Sequence, residues 1–151
     1  MIKQPKNYTE LCKCQTILDG KFNHFDSRTL LDRKMMLMWK VSKWLETLPA
    51  ELSPVSWKAN YTEYDRHREL IQLTDIVFLL PSINSNGEFL KTYVENNIDR
   101  DKFNTLVLDF LDNPTIEKYC EIVHTRGFSL ENEIIDQYWR KYTYNLNSLF
   151  R

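Results

Sequence analysis

Two residue pairs in this chain have the spacing and polarity to build a site across two helices. Lys40 and Lys43 are three apart in the stretch LMWKVSKWLE, and Gln72 and Asp75 are three apart further on. On a helix, positions i and i+3 share a face. Antiparallel helices that turn such pairs toward one another can hold a metal. When all four side chains are carboxylates they bind Mg²⁺, which grips a nucleotide polyphosphate and activates water. Only Asp75 is a carboxylate here. A protonated lysine has three donors and no acceptor, so it cannot ligate a cation. A like charge beside a divalent ion costs several kcal/mol even at an effective dielectric of ~20. The chemistry expected of Lys40, Lys43, Gln72 and Asp75 is therefore ion pairing, or capture of an anion by lysines that supply the positive charge a metal would have supplied.

Other reactive residues are weaker candidates. Cys12 and Cys14 form CxC, with His24 as the one nearby partner. Structural zinc takes four ligands in recognisable pairs, so incidental cysteines are expected. Cys120 and His124 are four apart on an expected helix, the spacing of a thiol–imidazole pair, but no third group is evident to orient them. Arg66, His67 and Arg68 are flanked by Asp65 and Glu69 and read as a solvated helix face. Tyr138, Trp139, Arg140, Lys141, Tyr142 and Tyr144 form an aromatic and basic patch that could stack on bases. Tyr138, Tyr142 and Asn145 also share a helical face, which favours packing. No Walker loop, GxGxxG or HExxH occurs.

The elements that must position these residues read as helices. The 151 residues suffice for one domain with a core, and 42% apolar with 13% aromatic content argues for a packed fold. A net charge of −1 gives no global attraction to nucleic acid or anionic membrane. The longest apolar run, Ile76–Leu80, is too short to span a bilayer, and the first residues hold no apolar signal core. Three cysteines suggest reduced thiols and a cytoplasmic location. Apolar periodicity predicts helices from Tyr8 to about Leu18, Arg28 to Leu48 behind an Asp26–Ser27 cap, and Thr62 to about Leu80, where Pro81 should end it. Further helices are expected over Phe89–Asn96, Asp101–Leu111, Pro114–Arg126 behind Asn113, and Ser129–Ser148. On the second, Leu30, Leu31, Met35, Leu37, Met38, Val41, Trp44, Leu45 and Leu48 make an apolar surface wide enough for deep burial. The expectation is a single all-α domain over residues 1–151, a bundle of six or seven helices.

Several segments together resemble the all-α nucleoside triphosphate pyrophosphohydrolases, in particular the dimeric dUTPases, the MazG-like proteins and the T-even phage dCTPase/dUTPase. LTDIVFLLPS (73–82) resembles the family run VDGIHFLLS, and LLDRKMMLMWKVSKWLETL resembles its first metal-site helix. ELCKCQTILD, SWKAN (56–60) and the trio Tyr138, Lys141 and Asn145 resemble further family segments, in the family's order. The resemblance implies a nucleotide site at Lys40, Lys43, Trp57, Lys58, Asp75, Tyr138, Lys141 and Asn145, and a homodimer. Lys40 and Lys43 then stand at the two positions of the family's ExxE. Gln72 stands at the Glu of its ExxD, and Asp75 keeps the Asp. Three of four expected metal-ligand carboxylates are replaced, and no change of register restores them.

The resemblance implies first a pseudoenzyme: a dUTPase-like domain, of phage origin by its branch and so in the host cytoplasm, that needs no metal and works by binding a protein partner or a nucleotide. A second reading is an active, Mg²⁺-dependent dUTP or dCTP pyrophosphohydrolase in which Asp75 is joined by Glu46, Glu69 or a residue of a second chain. A third, from the Tyr138–Tyr144 patch, is a module for single-stranded nucleic acid.

Overall fold

The computed structural model describes residues 2–21, 28–55, 57, 63–90 and 98–148. Among the described residues, six α-helices follow one another: α1 (Tyr8–Asp19), α2 (Leu30–Leu45), α3 (Arg66–Ile83), α4 (Arg100–Asp112), α5 (Ile116–Thr125) and α6 (Ile135–Ser148). A π-helical turn, Leu130–Ile134, leads into α6. The described residues contain no strand, so the all-α expectation holds.

The helix starts are chemically explicit. Asn7, Asp65, Asp99, Thr115 and Ser129 each accept a backbone N–H of their own first turn. At α2 the cap is Thr29, which forms a reciprocal capping box with Asp32. This replaces the expected start at Arg28, because Thr29 with an acid three residues later satisfies two orphan donors at once. Likewise α5 starts behind Thr115 and not Asn113, so Pro114 precedes the cap. Pro81 does not stop α3, which runs to Ile83. It lies in the last turn, where a missing N–H forfeits one hydrogen bond and few residues remain to be misdirected. Phe89 and Leu90 are not helical, and the rest of the helix expected there lies outside the described residues, as do Asp26, Ser27 and Thr62.

Helix α3 is the centre of the molecule. It packs most extensively on α2, and also on α6 and α1. From Leu73 to Leu80 every residue except Phe78 is buried. The core built around it joins Leu11 and Leu18 of α1, Leu37, Val41 and Trp44 of α2, Phe103 and Phe110 of α4, Tyr119 and Val123 of α5, and Tyr138 and Tyr142 of α6. The hydroxyl of Tyr119 donates to the Leu73 carbonyl at 2.7 Å, tying α5 to the middle of α3. After α5 the chain reverses at Gly127, whose φ of 77° lies in the left-handed region that suits glycine.

Helix α2 departs from its expected burial. Leu37, Val41, Trp44 and Leu48 are in the core, but Leu30, Leu31, Met35, Met38 and Trp39 are exposed. The apolar residues of α2 encircle more of the helix than its neighbours cover.

Truncating the central helix should be costly. Leu73→Ala is expected to lower the unfolding free energy by ~2–5 kcal/mol, and Thr29→Ala, which removes the capping box, by ~1 kcal/mol. Urea unfolding followed by helical circular dichroism checks both.

Candidate functional site

Helices α2, α3 and α6 bring three charged side chains together. Asp75, on the buried face of α3, is 7% exposed. Its Oδ1 accepts from Lys141 Nζ of α6 at 2.5 Å, and its Oδ2 lies 3.7 Å from Lys40 Nζ of α2. One carboxylate thus faces two ammonium groups from two other helices. The surroundings are apolar on one side: Lys141 Nζ stands 5.4 Å from the centre of the Phe78 ring, and Lys40 Nζ 5.1 Å from that of Trp39. With two ammoniums and one carboxylate, the cluster carries a net positive charge. Gln72, one turn before Asp75, keeps its Oε1 buried with no hydrogen-bond partner in the structure.

The other proposed members divide. Lys43 does not turn toward Asp75. Its ammonium sits 4.2 Å from the centre of the exposed Trp39 ring, on the outer face of α2. Lys40 occupies the side of α2 that meets α3, and a residue three further on is rotated by about 60° at 3.6 residues per turn. The second lysine at Asp75 is Lys141, not Lys43. Tyr138 is fully buried, and its hydroxyl donates to Gln15 Oε1 at 2.8 Å, so it is a core residue and cannot touch a ligand. Asn145 lies half-buried one turn beyond Lys141. Trp57 exposes its ring, while its indole N–H closes onto the Pro54 carbonyl at 2.9 Å. Lys58 and His24 are outside the described residues.

A second buried carboxylate on α3 corrects the sequence reading, which placed Glu69 on a solvated helix face. Glu69 is 0% exposed, and all its partners are donors. Arg126, at the end of α5, grips it with two hydrogen bonds of 2.8 and 2.9 Å. Trp44 Nε1 donates at 3.0 Å and the Tyr64 hydroxyl at 2.7 Å. Burial alone would make the Arg126 guanidinium easier to deprotonate, but the hydrogen bonds and charge of Glu69 outweigh it and hold its pKa above the ordinary value. Burial, with the Glu69 hydrogen bond second, pushes Tyr64 up to about 12. Glu69 is thereby committed to organic donors. Glu46 is exposed at the end of α2. Neither joins Asp75 in a ligand set, and among the described residues no three His, Cys, Asp or Glu side chains gather as a metal site would need.

The remaining reactive residues settle into structural positions. Cys12 and Cys14 diverge on α1: the first thiol points to the Ser85 carbonyl and the second to that of Lys3. Cys120 is 0% exposed, and burial pushes its thiol up to about 11, the opposite of an activated nucleophile. Arg66 is tied to Glu133 and the Gly127 carbonyl, with its guanidinium over the Phe128 ring. In the C-terminal patch Tyr142 is fully buried beside Tyr138, and Trp139 stacks on it at 5.3 Å. Tyr138 and Tyr142 therefore have no face to offer a base.

Two outcomes are expected from the buried polar groups. Glu69→Gln should destabilise the fold by ~3 kcal/mol or more, because it leaves a largely buried guanidinium without its counter-charge. The Glu69→Met/Arg126→Met pair should cost less than the two single changes summed, which equilibrium unfolding measures. Burial, the leading cause for each, raises Tyr8, Tyr64, Tyr119, Tyr138 and Tyr142. Raised tyrosine pKa values give stability that is intact below the unfolded value of ~10 and is lost as pH rises through the folded values. Thermal melts should therefore fall steeply from pH 10 toward 12, and tyrosinate absorbance from the fully buried Tyr8, Tyr119 and Tyr138 should appear only with unfolding. When the chain is compared with protein-family models, curated proteins and solved structures, nothing matches.

Proposed function

We propose that this chain is a dUTPase-like helical protein that binds a phosphorylated nucleotide without hydrolysing it. The observation that carries this reading is the double engagement of Asp75 by Lys141 at 2.5 Å and Lys40 at 3.7 Å. In the family the chain resembles, carboxylates at the corresponding positions would hold Mg²⁺. The residues present do not fit that ion. The one carboxylate is already faced by two cations, the side chain in the place of a third ligand is an amide, and lysine offers no lone pair while protonated.

The same residues suit an anion. Lys40 and Lys141 are 25% and 38% exposed at their side chains, enough to be reached from solvent, while Asp75 beneath them is 9% exposed. A phosphate arriving from outside meets two ammonium groups held apart by a carboxylate that fixes their positions. Charge-assisted hydrogen bonds of this kind are the strong ones. Asn145, half-buried one turn beyond Lys141 on the same helix, is a polar side chain for the rest of a nucleotide.

Incubation of the purified protein with dUTP or dCTP and Mg²⁺ is expected to release no diphosphate. Turnover approaching ~1 s⁻¹, within the ordinary enzyme range, would overturn the reading. Calorimetric titration with the same nucleotides in the absence of Mg²⁺ should show binding that the Asp75→Asn/Lys40→Gln/Lys141→Gln variant loses, a change that removes both ammonium groups without stranding a buried carboxylate, with circular dichroism showing the variant folded. Equal binding by that variant would place the nucleotide elsewhere.

A further inference from the structure

A groove of about 470 Å³ opens between α2 and the junction of α4 with α5, and it shares no residue with the cluster at Asp75. Leu31, Lys34, Met35 and Met38 recur at the spacing of one helical stripe, so α2 supplies one wall. Leu111 and Pro114 supply the other. Leu37 and Pro114 are buried, whereas Leu31, Met35 and Met38 stand 75%, 60% and 45% exposed around them. Scattered exposed apolar residues are ordinary, but these share one concavity. The two methionines, unbranched and adaptable, let its wall follow the shape of what enters.

The charges decide what that is. Lys34 is the one charged residue lining the groove, and its ammonium has no partner among the described residues. The neighbouring acids do not answer it. Asp32 is rotated by about 200° from Lys34 on α2 and is held in the Thr29 capping box. Asp109 and Asp112 are exposed at the end of α4 but line no part of the groove. Of the other cations nearby, Arg33 donates to the Ser82 carbonyl, Lys118 donates to the Asp109 carbonyl, and Arg28 is exposed one turn before Leu31. We infer that the groove binds a small anionic amphiphile of the fatty-acid class, an unbranched apolar chain lying against Leu31, Met35, Met38 and Leu111 with its one carboxylate on Lys34. Lysine can lay its stem along an apolar wall and keep its ammonium at the rim, and a charge-assisted hydrogen bond there is a strong one. The volume falls within the ~300–1,000 Å³ of small-molecule sites. A polypeptide fits less well. The stripe from Leu31 to Met38 runs about 10 Å at 1.5 Å per residue, which is room for about three extended residues. A second copy of the chain would bring a second Lys34 and no lining acid to meet it. Binding here is independent of what Lys40 and Lys141 hold.

Titration calorimetry tests this with decanoate, and with decyltrimethylammonium as a chain of the same length and opposite charge, each below its micelle concentration. The wild-type chain should bind decanoate at one site with a dissociation constant below ~1 mM, at least ~10-fold more tightly than the cation. Lys34→Glu should reverse that preference, because it sets carboxylate against carboxylate. Lys34→Ala should abolish the preference without adding a new charge. Met38→Ser, which removes apolar wall, should weaken both ligands alike. All these changes are at exposed positions of α2, and circular dichroism must show each variant folded. No saturable binding of decanoate, equal affinity for the two ligands, or a folded Lys34→Glu variant with the wild-type preference would overturn the inference. So would a wild-type dimer that Met38→Ser breaks, seen by light scattering, which would give the groove to a second copy. Sedimentation with phosphatidylserine vesicles that Met38→Ser abolishes would give it to a membrane surface and overturn the inference equally.

Discussion

A carboxylate taken out of water has to be met by positive charge or by donors, and helix α3 carries two of them into the interior. Glu69 is fully buried and Asp75 nearly so. Because α3 lies at the centre, the groups that answer these charges come from elements distant in the chain: Arg126 from the end of α5, Lys40 from α2 and Lys141 from α6. The three ion pairs, on two carboxylates, therefore do more than satisfy local electrostatics. They fix where α2, α5 and α6 stand relative to α3, in a bundle whose apolar contacts alone would tolerate sliding. Breaking such a pair is expensive, while its net worth against an apolar replacement is small. Their physical role is better described as specification of geometry than as a source of stability.

The two clusters differ in what they leave open. At Glu69 every donor is spent inward. Arg126 is bidentate, Trp44 and Tyr64 complete the shell, and the site is closed. At Asp75 the two lysines reach the carboxylate from the solvent side and remain partly exposed. The first cluster is a joint. The second is a joint with two ammonium groups facing outward, and this difference, not the identity of any one residue, underlies the proposal that an anion binds there.

Much of this was legible before the structure. Apolar spacing located α1 and α4 within a residue or two, because each has a cap and a single buried face, while the last helix, expected from Ser129, opens with a π-helical turn and becomes α-helical only at Ile135. The pairing of α2 with α3 through Lys40 and Asp75 followed from two polar i, i+3 pairs set in apolar helices. What spacing did not show has physical reasons. Lys43 was grouped with Lys40, but the rotation between them carries it to the outer face beside Trp39. The breadth of apolar sequence on α2 pointed to burial, yet periodicity reports which faces are apolar and not which are covered. Tyr138 resembled a ligand contact and proved to be core. The Glu69–Arg126 pair was missed although a signal existed. Glu69, Leu73, Ile76 and Leu80 form one helical stripe, and an acid in an apolar stripe demands a cation. The 57 residues to Arg126 concealed which one answered it.

The central claim is that the Asp75 carboxylate is neutralised by ammonium groups from α2 and α6, and that this pairing is part of the fold. It is tested most directly by a double-mutant cycle on Asp75→Asn and Lys141→Met, read as unfolding free energy in urea. The account predicts that the two changes together cost less than their sum, by a coupling of ~1 kcal/mol or more. Additivity within about 0.3–0.5 kcal/mol would mean that the two groups do not interact in the folded protein, and would contradict it.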